Sequence, residues 1–114
     1  MIRRHKYNAV KTTVDGHTFD SKAEAARYSE LRLLERAGVI SDLELQPSFL
    51  LQEPFRDEQK RAHRAINYVA DFAYNENGRR IVEDVKGKET KEFSIKWKLA
   101  IRHYPNHEFR KVTK

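Results

Sequence analysis

Residues 66–87 read INYVADFAYNENGRRIVEDVKG, and the expected fold is built outward from this segment. Two runs rich in β-branched and aromatic residues flank the Asn-Gly dipeptide at positions 77–78, which is the strongest short signal for a two-residue hairpin loop of type I′. A loop of that length sets Asp71 directly opposite Asp84, and directly opposed side chains share one face of a sheet. The segment therefore predicts a β-hairpin that brings two carboxylates together.

The register of this hairpin decides which side chains accompany the two acids. Lys86 lies two residues beyond Asp84 and is expected on the same face. A three-residue loop would instead send Asp71 to the opposite face, whereas a four-residue loop would keep it on that face but opposite Val82. With the two-residue loop, the acids are accompanied by Val69, Ala73 and Val82, and the other face carries a core-like set of Tyr68, Phe72, Tyr74, Ile81 and Val85.

The paired acids point to a cation site. Like charges directly opposite each other destabilise a sheet, and in a partly buried place one of the two carboxyls tends to keep its proton. Oxygen ligands of this kind suit Mg²⁺ or Mn²⁺. Lys86 could hold a phosphate, or orient and deprotonate a water molecule. The alternative is an ordinary salt bridge between Asp71 and Lys86, with Asp84 solvated.

A helix is predicted to follow Ser21. Residues 21–24 read SKAE, which matches a capping box with Ser21 as the N-cap and Glu24 at position N3. The helix should reach about Ala37, with Gly38 as a natural C′ residue. Glu24 can be interpreted as the partner of the cap or as a carboxylate beside the apolar stripe of the helix, which consists of Tyr28, Leu31 and Leu34.

The remaining elements complete the expected fold. Residues 39–51 should be extended, with Pro47 at an edge or a bulge, and the polar residues 52–64 should form a loop or a long hairpin tip. A final helix from about Thr90 to His103 and a short strand over residues 108–112 follow. The order helix, three strands, helix, strand predicts a single α/β domain with a mixed β-sheet flanked by helices. Each of two apolar sets is expected to lie on one face of its own element. These sets are Leu43, Leu45, Phe49 and Leu51 in the extended region, and Phe93, Trp97, Ile101 and Tyr104 on the final helix.

Composition narrows the function classes. The chain has 114 residues, which fits one domain, and its net charge of +6 favours a polyanionic partner such as nucleic acid. The absence of cysteine excludes a disulfide scaffold, a cysteine-ligated metal and a cysteine nucleophile. The five histidines show no zinc-binding spacing. No apolar run could span a bilayer and residues 1–6 do not resemble a signal peptide, so we expect a cytoplasmic protein with no membrane partner.

Two basic regions are candidate DNA contacts. Residues 1–18 are interpreted as a basic arm, and residues 19–114 as the folded domain. The final helix has lysines around its apolar face, which could contact phosphates or form an ordinary solvated face. Thr90 could cap this helix and direct its N-terminus at a phosphate. The candidate DNA-binding residues are Arg3, Arg4, Lys6, Lys11, Lys88, Thr90, Lys91, Lys96 and Lys98.

These motifs resemble a known family. Asp71, a hairpin and then the tripeptide Asp84-Val85-Lys86 are similar to the signature of the PD-(D/E)xK nuclease superfamily. Ala70 stands where the superfamily name has proline, and strand parity favours Asp84 over Glu83 as the second acid. The chain looks more closely like small phage-type nucleases similar to Holliday junction resolvases, through residues 6–8, 19–21, Glu24, 43–47, 68–72 and 82–87.

The resemblance implies a restriction-endonuclease-like core and a Mg²⁺-dependent endodeoxyribonuclease that cuts branched DNA. Asp71, Asp84 and the backbone carbonyl of Val85 would ligate the ion, and Glu24 would complete the site. Lys86 would position or activate the attacking water and stabilise the phosphate. Mn²⁺ would be a likely substitute for Mg²⁺ in such a site.

The resemblance also implies a substrate and an assembly. A four-way DNA junction has two symmetric strands to cut, so a two-fold homodimer is expected. Three alternatives remain open from the residues: a related nicking or repair nuclease, a non-catalytic basic DNA-binding module in which the acids are structural, and an RNA-binding or regulatory module. Cleavage of four-way junctions, compared with duplexes and flaps, separates the first alternative from a resolvase.

Overall fold

The computed structural model describes residues 10–113, in which a mixed β-sheet has one helix packed on each face. The helices are α1 (Lys22–Arg36) and α2 (Lys91–His103). The strands are β1 (Thr12–Val14), β2 (His17–Phe19), β3 (Ser41–Leu45), β4 (Ser48–Gln52), β5 (Phe55–Arg56), β6 (Ala62–His63), β7 (Ile66–Val69), β8 (Phe72–Glu76), β9 (Arg79–Lys86) and β10 (His107–Thr113). The expected single α/β domain with a mixed sheet and two helices is confirmed.

The main sheet has the strand order β10-β9-β8-β3. Strands β9 and β10 run parallel and are joined through α2, whereas β8 pairs antiparallel with both β9 and β3. A parallel pair needs such a crossover connection, because its strands must start at the same end of the sheet. Strand β9 therefore lies inside the sheet, and its side chains are covered on both faces.

The hairpin between β8 and β9 has the predicted register. Asn77 and Gly78 have φ values of 51° and 77°, as both central residues of a type I′ turn require. Glu76 pairs with Arg79, and the ladder continues regularly to the pair formed by Phe72 and Glu83. The expected two-residue loop is confirmed.

Both helices begin where the sequence predicted. The Ser21 hydroxyl accepts a hydrogen bond from the Glu24 N–H at 3.1 Å, and the Thr90 hydroxyl accepts one from the Phe93 N–H at 3.1 Å. Gly38, with φ of 79°, follows the last turn of α1. Each cap satisfies an N–H group that the helix itself cannot pair.

The predicted count of three strands between the helices is wrong, because both long extended regions are interrupted. Gln46 has φ of 51° and precedes Pro47, which divides β3 from β4. Opposite this point, Ala70 and Asp71 divide β7 from β8. Backbone bonds bridge the interruption, from the Ala70 N–H to the Pro47 carbonyl at 3.0 Å and from the Gln46 N–H to the Asp71 carbonyl at 2.9 Å. Beyond it, β4 and β7 form a separate two-stranded sheet.

The interruption also changes which side chains share a face. The prediction that Tyr68 and Phe72 share a face is wrong. Tyr68 packs in the core beneath α2, and Val69 is largely exposed. Likewise, Leu43 and Leu45 pack on the α1 side, whereas Phe49 packs on the α2 side. A strand alternates its faces only while it remains continuous, and parity cannot be carried across residues that leave the ladder.

Two hydrophobic cores result, one on each face of the sheet. On α2, Ala100 is fully buried and Ile101 is exposed, so the predicted apolar stripe is displaced by one residue at that turn. The α1-side core contains Phe19, Ala25, Tyr28, Leu31, Ile40, Phe72, Tyr74 and Ile81. The α2-side core contains Phe49, Leu51, Tyr68, Ala70, Ala73, Val82, Phe93 and Ala100.

Two further hairpins lie outside the main sheet. Strands β1 and β2 pair around Asp15 and Gly16, and the Phe19 ring at the end of β2 packs into the α1-side core. The interval over residues 52–64, predicted to be a loop or a long hairpin tip, contains the antiparallel pair β5 and β6. The first half of the predicted N-terminal arm, residues 1–9, lies outside the described residues.

Candidate functional site

Three carboxyl groups meet where β7 separates from β8. Asp71 lies in the gap between these strands, and its carboxylate accepts a hydrogen bond from the Val85 N–H at 2.6 Å. Glu24 approaches from the first turn of α1 and Asp84 from β9, each close enough to Asp71 for a carboxyl–carboxyl hydrogen bond. The structure therefore brings together the three acids that the sequence selected.

Asp71 is held in an unfavourable place for a negative charge. Burial raises its pKa to about 8, and the neighbouring charges of Asp84 and Glu24 act in the same direction. The hydrogen bond from the Val85 N–H opposes this shift, because it favours the ionised form. In the absence of a cation, Asp71 keeps its proton at neutral pH.

Glu24 combines the two roles that the sequence left open. It lies at N3 of α1, where its N–H bonds to the Ser21 cap, and its carboxylate accepts a bond from the backbone of Asp20. Its side chain is only 7% exposed, and burial raises its pKa despite the hydrogen bond with Asp71. Glu24 thus supports the helix start and belongs to the acidic cluster.

Asp84 is held by two neighbours. It is 3% exposed, its Oδ2 accepts a hydrogen bond from the Tyr68 hydroxyl, and its Oδ1 lies 3.1 Å from the Lys86 Nζ. The Lys86 ammonium also lies 4.0 Å above the Phe93 ring, in cation–π geometry. The alternative arrangement, with Lys86 paired to Asp71 and Asp84 solvated, is wrong.

Glu83 points away from this cluster, as strand parity predicted. It is fully buried on the α1 side, where the Arg27 guanidinium binds both of its carboxylate oxygens at 2.8 and 2.6 Å. The Tyr74 hydroxyl donates a further hydrogen bond to it. This contact with Glu83 raises the pKa of Arg27 above its usual value. Glu83 is accordingly a paired structural residue.

A cleft of about 250 Å³ opens beside Asp84 and leads toward α2. Lys86, Thr90 and Lys96 line it together with Asp84, so two ammonium groups and a helix N-terminus face one space. The Lys96 Nζ is 3.1 Å from the Glu92 carboxylate, which also lines the cleft. This arrangement is suited to an anionic group that lies beside the acidic cluster.

The other predicted DNA contacts are dispersed. Lys91 and Lys98 are exposed on α2, and Lys88 is exposed in the turn before it, but none of the three lines the cleft. Lys11 is exposed just before β1. Arg3, Arg4 and Lys6 lie outside the described residues.

Sequence reasoning missed two residues beside the cluster. The Tyr68 hydroxyl bonds to Asp84, although parity had assigned Tyr68 to the opposite face. Lys111 pairs across β10 and β9 with Asp84, and its Nζ lies 3.1 Å from Glu89 and 5.7 Å from the centre of the Phe93 ring. No short-range signal could have found Lys111, because its position depends on a parallel pairing that follows the whole of α2.

The donor chemistry of the cluster fits a hard divalent cation. Among residues 10–113, no three or more His, Cys, Asp or Glu side chains are arranged so that together they could hold a metal ion. Mg²⁺ does not need such an arrangement, because it keeps several waters and commonly uses only one or two carboxylates. Glu24, Asp71 and Asp84 offer only oxygen, and burial together with the neighbouring acids raises the pKa values of Glu24 and Asp71. A divalent cation would favour the ionised form of these carboxyl groups.

The fold and the cluster define a small mixed-sheet α/β domain with buried acids beside a cleft that two lysines line. The chain belongs to the family described as "Protein of unknown function (DUF1064)", whose model matches residues 4–114. Neither the comparison with curated proteins nor the comparison with solved structures finds a match. Within the part of the chain that the structure describes, no helix is long and apolar enough to cross a membrane.

Proposed function

We propose that this protein is a Mg²⁺-dependent DNA endonuclease of the PD-(D/E)xK type, with a restriction-endonuclease-like core, that cuts branched DNA such as four-way junctions. The single observation that supports this most is that Glu24, Asp71 and Asp84 lie close together, with Lys86 bonded to Asp84 at the wall of a cleft that also holds Lys96. Structural ion pairs alone give a poor account of three clustered carboxyls, because like charges in a buried place cost stability. In a metal-dependent phosphodiesterase, clustered carboxylates bind a cation that contacts the phosphate oxygens, and the cation offsets their mutual repulsion.

The roles of the residues follow from their positions. Asp71 and Asp84 would hold the ion, with the backbone carbonyl of Val85, and Glu24 would complete the site. A divalent cation bound there lowers the pKa of water and neutralises charge on the phosphoryl oxygens. Mn²⁺ would serve in place of Mg²⁺.

Lys86 would act on the phosphate and on the attacking water. Its ammonium is anchored by Asp84 and by the Phe93 ring, so it is held at the mouth of the cleft rather than free in solvent. From there it would orient the water for attack on phosphorus and stabilise the added negative charge of the transition state. Thr90, at the start of α2, and Lys96 would hold the neighbouring phosphate of the strand.

The assembly and location that go with this function are also proposals. A junction presents two equivalent strands, and a two-fold homodimer would place one site on each. The substrate is DNA in the cytoplasm, and none of the proposed steps needs a membrane.

The test is cleavage of a labelled synthetic four-way junction, a plain duplex and a flap, with Mg²⁺ or with EDTA. Asp84→Asn should abolish cleavage while binding to the junction persists or tightens, because a carboxylate that repels phosphate is removed. Asp42→Asn is the matched control, since Asp42 is exposed and far from the cluster in the sheet, at the start of β3. It should cleave at the wild-type rate.

Three results would count against the proposal. Cleavage at the wild-type rate by Asp84→Asn would remove that residue from the mechanism, and cleavage in EDTA would remove the metal. Tight DNA binding with no cleavage of any substrate in Mg²⁺ or Mn²⁺ would favour a non-catalytic binding module. Preferential cleavage of flaps or nicked duplex would keep the nuclease and replace the junction as its substrate.

A further inference from the structure

Strands β5 and β6 form a small hairpin, which we call the tip hairpin (residues 55–63). Phe55 pairs with His63, and Arg56 pairs with Ala62, in antiparallel register. Within residues 10–113, these two strands pack substantially only against each other, and neither contributes to either hydrophobic core. The tip hairpin thus adds nothing to the buried core and presents both of its sides to solvent.

Asp57 gives the tip hairpin a defined shape. Its Oδ1 accepts hydrogen bonds from the N–H groups of Gln59 at 2.9 Å and Arg61 at 3.0 Å. Its Oδ2 lies 3.1 Å from the Arg61 Nε and 2.9 Å from the His63 Nε2. Lys60 closes the turn with φ of 64°. One carboxylate therefore links four donors across the turn, and this network holds the tip hairpin in a defined conformation.

The two aromatic rings of the tip hairpin are stacked but not covered. The Phe55 and His63 ring centroids are 4.7 Å apart with an interplanar angle of 12°. Phe55 is 47% exposed, and the His63 side chain is 46% exposed. Because His63 is also bonded to Asp57, the stack is fixed while the rings remain partly accessible. A flat apolar ring held in this way can extend its stack onto another planar group.

The charges around the stack are mainly basic. Arg61, whose side chain is 71% exposed, immediately precedes the second strand of the tip hairpin, and Arg64 immediately follows it. Arg56, on the first strand, donates a hydrogen bond to the Lys60 carbonyl at 2.8 Å, which keeps its guanidinium at the turn. The turn also carries two acids, of which Asp57 is already engaged and Glu58 is exposed. An aromatic platform flanked by guanidinium groups is the combination that binds unpaired nucleotides, since every base has a stackable face and every linkage a negative charge.

We propose that the tip hairpin binds an unpaired nucleobase, which stacks on the exposed face of Phe55 while the neighbouring guanidinium groups contact the flanking phosphates. This inference rests on the proposed function to the extent that it takes nucleic acid as the substrate. It deepens that function by naming a second site, outside the acidic cluster, that binds unpaired bases and not the backbone of a duplex. Flaps and frayed ends expose such bases, and a four-way junction does so where base pairs open at the crossover.

The test compares Phe55→Ala with Leu33→Ala, a matched removal of an exposed apolar side chain, 64% exposed on α1. Binding is measured in EDTA by fluorescence anisotropy of labelled oligodeoxythymidine, oligouridine and a duplex of equal length. Phe55→Ala should weaken single-strand binding by roughly 10-fold or more and duplex binding by less than about 2-fold. Leu33→Ala should change neither. Circular dichroism of each variant establishes that the fold is kept.

A second variant tests stacking directly. Phe55→Trp should bind the single strand at least as tightly as the wild type, because a larger ring offers more stacking surface, and its fluorescence should be quenched on binding. The one native tryptophan, Trp97, packs against the α2-side core and provides the background signal in the wild type. Oligodeoxythymidine and oligouridine differ both in the 2′-hydroxyl and in the 5-methyl group of the base, so oligodeoxyuridine is added as a third strand. A preference between oligouridine and oligodeoxyuridine then identifies RNA or DNA as the source of the base.

Several outcomes would overturn the inference. Unchanged single-strand binding by Phe55→Ala would do so, as would an equal loss for single strand and duplex, which indicates a general electrostatic effect. No single-strand binding by the wild type would point to a protein partner for the tip hairpin. If the wild type cleaves junctions and the Phe55→Ala variant still binds single strands normally, the inference is refuted and the proposed nuclease function stands. Selective loss of single-strand binding in a protein that never cleaves would keep the inference and refute the nuclease.

Discussion

Replacing Asp71 with asparagine should stabilise the metal-free protein at alkaline pH. The carboxyl of Asp71 is buried beside two other acids, and its pKa is raised to about 8. Asparagine has nearly the same shape, and its side-chain oxygen can still accept the hydrogen bond from the Val85 N–H. The substitution removes the ionisable proton while keeping the local geometry.

The sign and size of the effect follow from linkage. The unfolded chain releases the Asp71 proton near the usual pKa of 3.8, whereas the folded protein holds it until about pH 8. Between these values the folded state binds more protons, so the free energy of unfolding falls by up to about 1.4 kcal/mol per pH unit. The full shift corresponds to an upper limit of about 6 kcal/mol. Because the side chain is not completely buried, water and small movements offset part of it, and we expect a loss of about 2–3 kcal/mol between pH 5 and 8.

The assay is urea unfolding in EDTA at several pH values, followed by circular dichroism. The wild type should lose stability steadily from pH 5 to 8, and Asp71→Asn should show a much flatter profile and exceed the wild type at pH 8. Asp42→Asn, an exposed substitution of the same type, should show the same dependence on pH as the wild type. Its whole profile can be displaced by a constant amount, because Asp42 has φ of 53° and accepts a hydrogen bond from the Asn75 side chain. Adding Mg²⁺ should then stabilise the wild type at pH 8, by about 2.7 kcal/mol when its concentration is 100 times the Kd.

Two results would refute this reasoning. Identical pH profiles for the wild type and Asp71→Asn would mean that Asp71 ionises in the folded protein as it does in the unfolded chain. Equal stabilisation of the wild type and Asp71→Asn by Mg²⁺ would mean that the cation binds elsewhere, and the acidic cluster would lose its proposed role.

Three further substitutions test the surroundings of the cluster. Tyr68→Phe removes the hydroxyl that bonds to Asp84 and should reduce junction cleavage by about 10-fold, with about 1–2 kcal/mol lost in urea unfolding; wild-type cleavage would show that Asp84 needs no such support. Arg27→Ala leaves the buried Glu83 without its guanidinium partner, and the free energy of unfolding should fall by about 3 kcal/mol in the same assay. A loss below about 1 kcal/mol would mean that water takes the place of the Arg27 guanidinium beside Glu83. Gly78→Ala, at φ of 77° with open space around the new Cβ, should cost about 1 kcal/mol from backbone strain alone, and a neutral result would show that the turn relaxes.

The features that the sequence predicted well are those that depend on a few consecutive residues. The Asn-Gly dipeptide at positions 77–78 set the register of the main hairpin, because only that turn type suits its backbone angles. Ser21 and Thr90 marked both helix starts, because each hydroxyl serves an N–H three residues later. Such signals survive folding, since the contacts that satisfy them lie within the same turn of chain.

The features that the sequence did not predict depend on what lies across the sheet. Pro47 suggested a bulge, but not that Ala70 and Asp71 would leave the ladder at the same level on the partner strand. That paired interruption is a property of two segments together. It moved Tyr68 to the other core, and it could be anticipated from neither segment alone.

The interruption is also what forms the site, and it does so by a route different from the one that strand parity suggested. In an unbroken ladder Asp71 would stand opposite Asp84 as an ordinary cross-strand pair, with its side chain beside the sheet. Instead the ladder stops at the pair of Phe72 and Glu83, and the Asp71 carboxylate turns to take the Val85 N–H at the point where the pairing ends. At this point Asp71 lies close to both Asp84 on β9 and Glu24 on α1. A shifted backbone bond, from the Asp71 N–H to the Glu83 carbonyl at 3.1 Å, replaces the regular cross-strand pair, and the Asp71 carboxyl becomes the centre of the cluster.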